Sequence, residues 1–266
     1  MSRPALPHGT ASRVAGVRID GVFKHFVNPA GQPVCVLDRL DLDIEAGSFV
    51  CLLGPSGCGK TTLLNIVAGF ERPDHGTVSV GNEIVSRPGP DRGVVFQDYA
   101  IYPWLTVEQN IAFGPRLRGV ASVEIEIITR RYLALMGLEA FATYLPNQLS
   151  GGMRQRVAIA RVLANEPRVL LMDEPFAALD AQTRYMLQRE LVRVWLREKP
   201  TVMFVTHNIE EALLLGDRVV LMGRRPGRVK QDKHIALERP RDVSDSRFNE
   251  LRRELLDLLE EEMDAV

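Results

Sequence analysis

The sequence contains only three cysteines among its 266 residues, and they form no metal-binding or disulfide pattern. Cys35, Cys51 and Cys58 make no Cys-x-x-Cys pair, and none lies beside a histidine at the spacing of a metal site. A disulfide framework and a cysteine-ligated zinc ion are therefore excluded. An odd cysteine count without such a framework favours a reducing compartment, and we interpret all three cysteines as structural.

Long apolar runs are absent as well. The longest, such as residues 169–172 and 219–222, are far shorter than the ~20 residues that a membrane-spanning helix requires. The first ten residues include Pro4 and Pro7 but no apolar segment of the kind found in secretory signals. The sequence thus predicts no direct membrane insertion, and a role at a membrane would require docking on a partner that spans it.

An excess of positive charge is the third absence. The chain has 33 Lys and Arg residues against 34 Asp and Glu residues, which gives a formal net charge of -1. Binding along a nucleic-acid backbone depends on a basic surface that neutralises phosphates. We therefore predict no nucleic-acid partner.

The composition that remains is that of an ordinary globular domain, with 45% apolar and 25% charged residues. The length fits one large domain with a subdomain. We predict a flexible leader over residues 1–15, a main domain over 16–245 and a C-terminal helix over 246–266. Leucines recur at helical intervals in that last segment, which either folds back on its own domain, the reading we favour, or binds a partner.

Apolar runs that alternate with helical segments predict an α/β fold with a mainly parallel sheet at its core. Two segments with alternating apolar and polar residues, 17–26 and 36–44, predict an antiparallel β edge that flanks this sheet. Since residues 106–161 hold no convincing strand, we predict an inserted helical subdomain over about 98–165. The other predicted strands are 48–53, 93–96, 169–172, 202–206 and 218–222, and the predicted helices include 60–69, 184–197 and 209–215.

A phosphate-binding loop follows the first buried strand and precedes a helix. It matches the pattern G-x-x-x-x-G-K-[ST], whose backbone N–H groups surround an anion at the helix N-terminus. We expect Lys60 to bridge the β- and γ-phosphates of a nucleotide and the Thr61 hydroxyl to ligate Mg²⁺. The predicted nucleotide contacts of the loop are Gly54, Pro55, Ser56, Gly57, Cys58, Gly59, Lys60, Thr61 and Thr62.

Two adjacent carboxylates end the apolar strand at residues 169–172. Asp173 is expected beside the phosphate loop, where it can hold Mg²⁺ through water, and Glu174 can then act as general base for the attacking water. A pair of solvated acids at the start of a loop is the ordinary alternative for any Asp-Glu sequence. The phosphate loop upstream makes that alternative improbable.

A second anion site is indicated by a Ser-Gly-Gly turn that opens a helix. Ser150 is a good N-cap, and Gly151 and Gly152 leave backbone N–H groups uncovered at the helix start. Taken alone, this turn is no more than an ordinary capped helix. Its position just upstream of the Asp-Glu strand changes that interpretation.

Leu-Ser-Gly-Gly before a strand ending in Asp-Glu resembles the ATP-binding cassette (ABC) ATPases, and the resemblance extends over residues 17–241. It implies a P-loop NTPase fold of the ABC type, with ATP and Mg²⁺ as cofactors. It also implies a homodimer in which Ser150, Gly151 and Gly152 of one copy cover the γ-phosphate held by the other.

The resemblance further assigns roles to four residues outside these motifs. Gln97 matches the residue that senses Mg²⁺ and water. The resemblance thus implies three catalytic residues, Gln97, Glu174 and His207. It also implies three metal-binding residues, Thr61, Gln97 and Asp173. His207 matches the histidine that contacts the γ-phosphate and holds the base in place. Asp180 matches an aspartate that communicates across the dimer, and Phe26 matches the ring that stacks on adenine.

Several segments are similar to the nitrate/sulfonate/taurine importer ATPases in particular, among them LSGGMRQRVAIAR at residues 149–161 and the motif Thr-His-Asn-Ile-Glu-Glu-Ala at 206–212. This branch energises uptake of a small solute, here expected to be an anion of the nitrate, sulfonate or taurine type. It implies transmembrane permease subunits as direct partners, a solute-binding protein as an indirect one, and a peripheral location at the cytoplasmic face of the inner (cell) membrane. Tyr102, Pro103 and Trp104 give the stretch after Gln97 an aromatic surface for docking, although Trp104 could equally belong to the core of the helical subdomain.

Two other functions remain as alternatives. A soluble, non-transport ABC ATPase of DNA repair would carry a long coiled coil between the phosphate loop and the Ser-Gly-Gly turn, and a ribosome-associated one would carry two cassettes. A phosphate-loop kinase would have no use for the Ser-Gly-Gly turn or His207. The sequence favours the importer subunit over each of them.

Overall fold

The computed structural model describes residues 14–224 and 226–264, apart from the side chains of the last two. The predicted leader therefore lies outside the described residues except for Val14 and Ala15. A six-stranded sheet forms the centre of the molecule, in the order β10-β9-β3-β8-β7-β6. Its strands are β3 (Phe49–Leu53), β6 (Arg92–Val95), β7 (Val169–Asp173), β8 (Thr201–Thr206), β9 (Arg218–Met222) and β10 (Val229–His234).

Five of these strands are parallel, and only β10 pairs antiparallel with its neighbour. Successive residues of β3 contribute to two different hydrophobic clusters, with Phe49, Cys51 and Leu53 in one and Val50 and Leu52 in the other. Both faces of the sheet are therefore covered, as expected for parallel strands connected by helices. The predicted α/β class is confirmed.

A second sheet of four antiparallel strands lies beside the first, in the order β2-β1-β4-β5. Its strands are β1 (Val17–Val27), β2 (Pro33–Ile44), β4 (His75–Val80) and β5 (Glu83–Ile84). The two segments predicted to form an antiparallel edge beside the parallel sheet are β1 and β2 of this second sheet. Residues of both sheets share one hydrophobic cluster, and an isolated bridge joins Leu37 to Gly227. The central sheet has an antiparallel edge strand of its own, β10.

Strands β4, β5 and β10 were not predicted from the sequence. The sequence of β10 is Val-Lys-Gln-Asp-Lys-His, and most of its residues are exposed or half-buried. A polar edge strand of this kind lacks the apolar alternation that identifies a strand. Backbone pairing with β9 holds it in place, together with ion pairs from Asp232 to Arg218 and from Lys233 to Glu254 of the C-terminal helix.

In the part of the chain that the structure describes, seven α-helices connect and cover the sheets. Helix α1 lies between the two sheets, since Leu63, Leu64 and Val67 pack in one cluster with residues of both. Gly69 ends this helix at φ +81°, as the predicted stop. The helices are α1 (Lys60–Ala68), α2 (Val107–Leu117), α3 (Ser122–Leu135), α4 (Gly151–Leu163), α5 (Ala181–Glu198), α6 (Ile209–Leu215) and α7 (Ser246–Asp264).

The described residues 98–165 contain helices α2, α3 and α4, two short 3₁₀ turns and no strand, which agrees with the predicted helical content. Thr106 and Gln109 form a capping box at the start of α2, where the side chain of each bonds the backbone N–H of the other. Helix α2 packs against both α3 and α4. The insertion thus carries α4, with its Ser-Gly-Gly turn, as part of one helical layer.

The C-terminal helix α7 packs against α6 of the same chain. Phe248 and Leu255 are buried, and Leu251 and Leu258 contact the main hydrophobic cluster. Its apolar face is therefore occupied by its own chain, as the favoured reading predicted. No helix among the described residues is long and apolar enough to cross a membrane.

Candidate functional site

The carboxyl ends of β3, β7 and β8 meet at one edge of the central sheet. Leu53 pairs with Thr206, and Asp173 pairs with Val205, so these strands end at the same level. The residues that follow them carry most of the predicted chemistry. Crevices outside the carboxyl ends of parallel strands are the usual ligand sites of open α/β sheets.

The phosphate-binding loop connects β3 to α1 and is shaped by its glycines. Gly57 and Gly59 have φ of +78° and +93°, a region that side chains other than glycine rarely adopt. A Cβ at Gly59 would lie 2.7 Å from Leu37 Cδ2, because the loop passes close to β2. The sequence pattern therefore corresponds to a curled loop at the N-terminus of α1, as predicted.

Lys60 lies at the start of α1 and is almost completely buried. Its Nζ donates to the carbonyl oxygens of Gly54 at 2.7 Å and Pro55 at 2.9 Å. The ammonium is thus held over the loop rather than extended into solvent. Burial raises the pKa of the neighbouring Cys58 thiol, which the charge of Lys60 opposes, so Cys58 is an uncharged loop residue rather than a reactive one.

Thr61 and Asp173 bring two oxygen donors together next to the loop. The Thr61 hydroxyl donates to Asp173 Oδ1 at 3.1 Å. Burial and the charge of Glu174 raise the pKa of Asp173, and the bond from Thr61 and the charge of Lys60 act against that rise. A carboxylate in this position carries an unfavourable charge that a bound cation would compensate.

Glu174 and His207 follow the ends of adjacent strands and form the second pair. His207 Nδ1 lies 3.1 Å from Glu174 Oε2. Glu174 has φ +43°, and its N–H donates to Val205 O at 3.0 Å, which fixes the turn after β7. Strained backbone at such a position is frequent at functional sites, and the arrangement holds the carboxylate beside the imidazole at the edge of the sheet.

Gln97 follows a strand of the central sheet, and Phe26 lies on a strand of the antiparallel sheet. Gln97 is exposed and follows β6, which pairs in parallel with β7. Phe26 is 41% exposed and pairs with Val34 across β1 and β2, two residues before Val36, whose side chain and carbonyl oxygen lie close to Gly59. Its ring therefore lies on the sheet that borders the phosphate loop, where adenine stacking was predicted.

The Ser-Gly-Gly turn belongs to the helical layer. Ser150 caps α4 by accepting a hydrogen bond from Met153 N at 3.3 Å. Within the described part of the chain, the amides of Gly151 and Gly152 make no hydrogen bond. The uncovered N–H groups predicted for this helix start are present.

The same turn also packs against the start of α5. A Cβ added to Gly152 would collide with Thr183 Cγ2, and one added to Gly151 would lie 3.1 Å from the Tyr99 hydroxyl. Asp180 caps α5 through a bond from Thr183 N at 3.0 Å, which lowers the pKa of its carboxyl. Glycine at 152 thus has a reason within a single chain, which the sequence analysis did not foresee.

The stretch after Gln97 forms an exposed aromatic surface. Trp104 is 71% exposed, so it does not belong to the core of the helical layer, and its ring lies 5.6 Å from that of Tyr102. A cavity of about 340 Å³ opens beside Tyr102, Phe113 and Arg161. Asn110, to which the sequence analysis gave no role, is fully buried and bonds the backbone of residues 102, 105 and 106, which shapes this surface.

Comparison with known proteins places the chain beside transport ATPases. The sequence model of the ABC transporter family matches residues 37–177. The bicarbonate transport ATP-binding protein CmpD of Synechococcus elongatus is 44% identical over 91% of this chain and 89% of its own length. The nitrate import ATP-binding protein NrtD of the same species is 43% identical over 96% and 95%.

The solved structures support the same family relationship. A dimeric ATP-binding cassette in a post-hydrolysis state, bound to ADP and Pi, matches 84% of this chain and all of its own with a TM-score of 0.71 and 32% identity. The fold, the order of the motifs and these relatives all indicate the family whose sequence model matches the chain.

Proposed function

This chain belongs to the ABC transporter family of ATP-binding proteins, and on that premise we propose that two copies of it form a homodimer that hydrolyses ATP to energise import of a small solute. The observation that carries the proposal is the pairing of Glu174 with His207 at 3.1 Å, on the sheet edge that also holds Thr61 and Asp173.

Nucleotide binding is assigned to the phosphate loop and Phe26. The loop N–H groups and the N-terminus of α1 favour negative charge, and Lys60 adds a buried positive charge at the same point. Phe26 supplies an exposed ring for the base. The loop and Lys60 would hold the phosphates, and Phe26 would hold the adenine.

The residues present fit Mg²⁺. Thr61 and Asp173 offer adjacent oxygen donors, the ligand type that this ion prefers, and Gln97 is the third candidate. Among the described residues no group of three or more His, Cys, Asp or Glu could hold a metal, which agrees with an ion held largely by phosphates and water. When bound, the ion would neutralise charge on the phosphate oxygens.

Hydrolysis is assigned to Glu174 as general base. Its carboxylate accepts the proton of the attacking water, and His207 holds the carboxylate in one orientation through the 3.1 Å contact. The buried ammonium of Lys60 stabilises negative charge that develops on the phosphates. These residues all belong to one chain.

The Ser-Gly-Gly turn is assigned to the nucleotide of the other copy. Its uncovered N–H groups and the Ser150 hydroxyl are suited to an anion, and the turn lies in the helical layer rather than on the phosphate-loop edge. Asp180, at the start of α5 beside this turn, lies where contact between copies would be sensed. The dimeric cassette among the structural relatives supports this arrangement.

Transmembrane permease subunits are the proposed direct partners. The surface formed by Tyr102, Phe113 and exposed Trp104, with its cavity of about 340 Å³, can receive a short helix from such a subunit. This contact would hold the cassette dimer peripherally at the cytoplasmic face of the cell membrane. A solute-binding protein would act only through the permease.

The solute is proposed to be a small anion, because the named relatives serve bicarbonate and nitrate. Uptake by the complete reconstituted complex, compared for nitrate, bicarbonate and taurine, would identify it. A non-transport cassette of DNA repair is disfavoured, since α2 and α3 have only 11 and 14 residues and form no long coiled coil.

The decisive test of the proposed function is Glu174→Gln, which keeps the shape of the side chain and removes its basicity. We expect hydrolysis to fall by about 10²- to 10⁴-fold. Binding of Mg²⁺–ATP should persist, and the protein should accumulate as an ATP-bound dimer in size-exclusion chromatography with light scattering.

Glu210→Gln is the matched control, because Glu210 is exposed and its carboxylate pairs with Arg252 of α7 rather than with a residue of the site. It should retain normal turnover. Turnover of Glu174→Gln close to that of the wild type would overturn the assignment of the base.

A further inference from the structure

Glu211 is a buried carboxylate that none of the assigned nucleotide contacts uses. It lies in the first turn of α6 and is only 6% exposed. Its neighbours Ala212, Leu213 and Leu215 are fully buried apolar residues, so the carboxylate stands at the margin of the core. Burying a charge is costly unless it is paired and hydrogen-bonded, and such groups rarely add stability over an apolar residue.

On one side, Glu211 fixes the chain around His207. Its Oε2 accepts a hydrogen bond from the Thr206 hydroxyl at 2.7 Å, and Thr206 Oγ1 accepts from Asn208 N at 3.0 Å. Asn208 Oδ1 in turn accepts from Glu211 N at 3.1 Å. These bonds close a ring through the residues on both sides of His207, and this ring sets the direction in which the imidazole leaves the backbone.

On the other side, Glu211 contacts helix α5. Its Oε1 accepts from Gln188 Nε2 at 3.1 Å and lies 3.9 Å from Arg184 Nε, one helical turn earlier. Arg184 Nη2 also donates to the carbonyl oxygen of Leu179 at 2.9 Å. Leu179 directly precedes Asp180, so the network reaches the segment assigned to the contact between copies.

The network and the proposed base border the same small space. A cavity of about 50 Å³ is lined by Glu174, His207 and Glu211, together with Arg184 and Thr206. A shift of Glu211 or Arg184 therefore changes the wall against which Glu174 and His207 are placed.

We propose that Glu211 is a positioning residue that holds His207 against Glu174 and, through Arg184, ties that pair to the Leu179–Asp180 segment at the start of α5. The inference rests on the proposed function, since it concerns the same hydrolytic site. Closure of two copies against Asp180 would thereby act directly on the orientation of the base. Glu211 touches neither nucleotide nor water in this role.

The test is steady-state ATP hydrolysis by the full chain carrying Glu211→Ala. A misplaced catalytic pair reduces turnover more than binding, so kcat should fall by roughly 10- to 100-fold, while KM for ATP stays within about twofold. Glu211→Gln should recover most of the rate, because its amide oxygen still accepts from Thr206 and a turned Gln188 amide can still pair with it. Glu210→Gln, the neighbouring exposed glutamate, should behave as wild type.

A second pair of variants covers the case in which Glu211→Ala does not fold. Thr206→Val keeps the shape and removes the hydroxyl, and it should lower kcat, whereas Thr206→Ser should not. In a His207→Ala background, Glu211→Ala should have no further effect on the single-turnover rate, because the residue through which it acts is gone. An equal loss in both backgrounds, or a normal kcat in Glu211→Ala and Thr206→Val, would overturn the proposal.

Failure of this inference is distinguishable from failure of the proposed function. If Glu174→Gln is inactive and the Glu211 variants are fully active, only the positioning role is lost. If Glu174→Gln turns over normally, the hydrolytic assignment itself is wrong and the positioning role falls with it.

Discussion

The two candidate anion-binding regions of this molecule differ in how complete they are. At the phosphate-loop edge, Lys60 is held by loop carbonyls, Thr61 bonds Asp173, and Glu174 contacts His207, all within one chain. At the Ser-Gly-Gly turn, the amides of Gly151 and Gly152 make no hydrogen bond within the described part of the chain, and the two glycines lie against Tyr99 and Thr183.

This difference indicates that the phosphate-loop edge is organised for chemistry and the Ser-Gly-Gly turn for recognition. Side chains that hydrogen-bond to one another are oriented before a ligand arrives, which lowers the cost of ordering them later. Backbone N–H groups at a helix start need no such support, because the helix itself fixes them. In the proposed homodimer, a site divided in this way would be complete only when two copies meet. Three experiments test this contrast between the two regions.

The largest effect is expected from Ser150→Asp. Aspartate caps a helix as well as serine, so the free energy of unfolding should hardly change. In the proposed dimer, the added negative charge would face the phosphate of the other copy. Hydrolysis should fall by at least about 10²-fold, as for loss of an electrostatic contact to the reacting group. Nucleotide affinity of the monomer, measured by calorimetry, should stay the same.

Ser150→Asn is the control, since it caps the helix without a charge. It should lose far less activity than Ser150→Asp. Weaker nucleotide binding by monomeric Ser150→Asp would instead mean that the turn serves the nucleotide of its own chain, and the contrast between the two regions would not hold.

An intermediate effect is expected from Gly152→Ala, which separates packing within the chain from recognition between chains. The new Cβ collides with Thr183 Cγ2, and forced contacts of this kind cost typically about 1–3 kcal/mol of unfolding free energy. Thr183→Ser removes that methyl group, so the double variant should regain stability in chemical denaturation.

Hydrolysis by the double variant decides which role of Gly152 matters. If the glycine also allows close approach to the partner's nucleotide, activity should remain low after stability is restored. Full recovery of activity in the double variant would show that Gly152 serves only the contact with α5.

The smallest effect concerns the free energy that the nucleotide-free protein loses by holding the charged Asp173 at the phosphate-loop edge. Burial and Glu174 raise the pKa of Asp173 above its ordinary value of 3.8. The folded state therefore binds the Asp173 proton more tightly than the unfolded chain does. The free energy of unfolding falls as pH rises above 3.8, and the full loss is reached once the pH exceeds the pKa of Asp173 in the folded state.

Asp173→Asn should therefore slightly raise Tm of the nucleotide-free protein at pH 7 and lose that advantage near pH 3.8, while hydrolysis is lost at every pH. Thermal unfolding at several pH values measures this difference. A lower Tm for Asp173→Asn at pH 7 would mean that the ionised Asp173 is stabilising, in contradiction to the direction of its pKa.

Sequence reasoning was most successful where the chemistry is local. The phosphate loop, the Asp173–Glu174 pair and the cap at Ser150 each depend on residues a few positions apart. The structure has the predicted strand and helix around the loop, the predicted strand end at Asp173 and the predicted helix start at Ser150. It was less successful for β4, β5 and β10, because pairing with distant strands creates them. It also missed Glu211, whose partners Gln188 and Arg184 lie more than twenty residues away.

The amino-acid sequence alone shows which groups are available: a glycine-rich loop, two carboxylates at a strand end, and a capped helix with free amides. These follow from backbone conformation and residue type over short distances, which do not depend on the rest of the fold. The contacts between these groups are visible only in the tertiary structure. Examples are His207 with Glu174, Gly152 with Thr183, and Glu211 with both Thr206 and α5. Strand order and helix packing set the distances between these residues, and neither can be predicted from any single segment of the sequence.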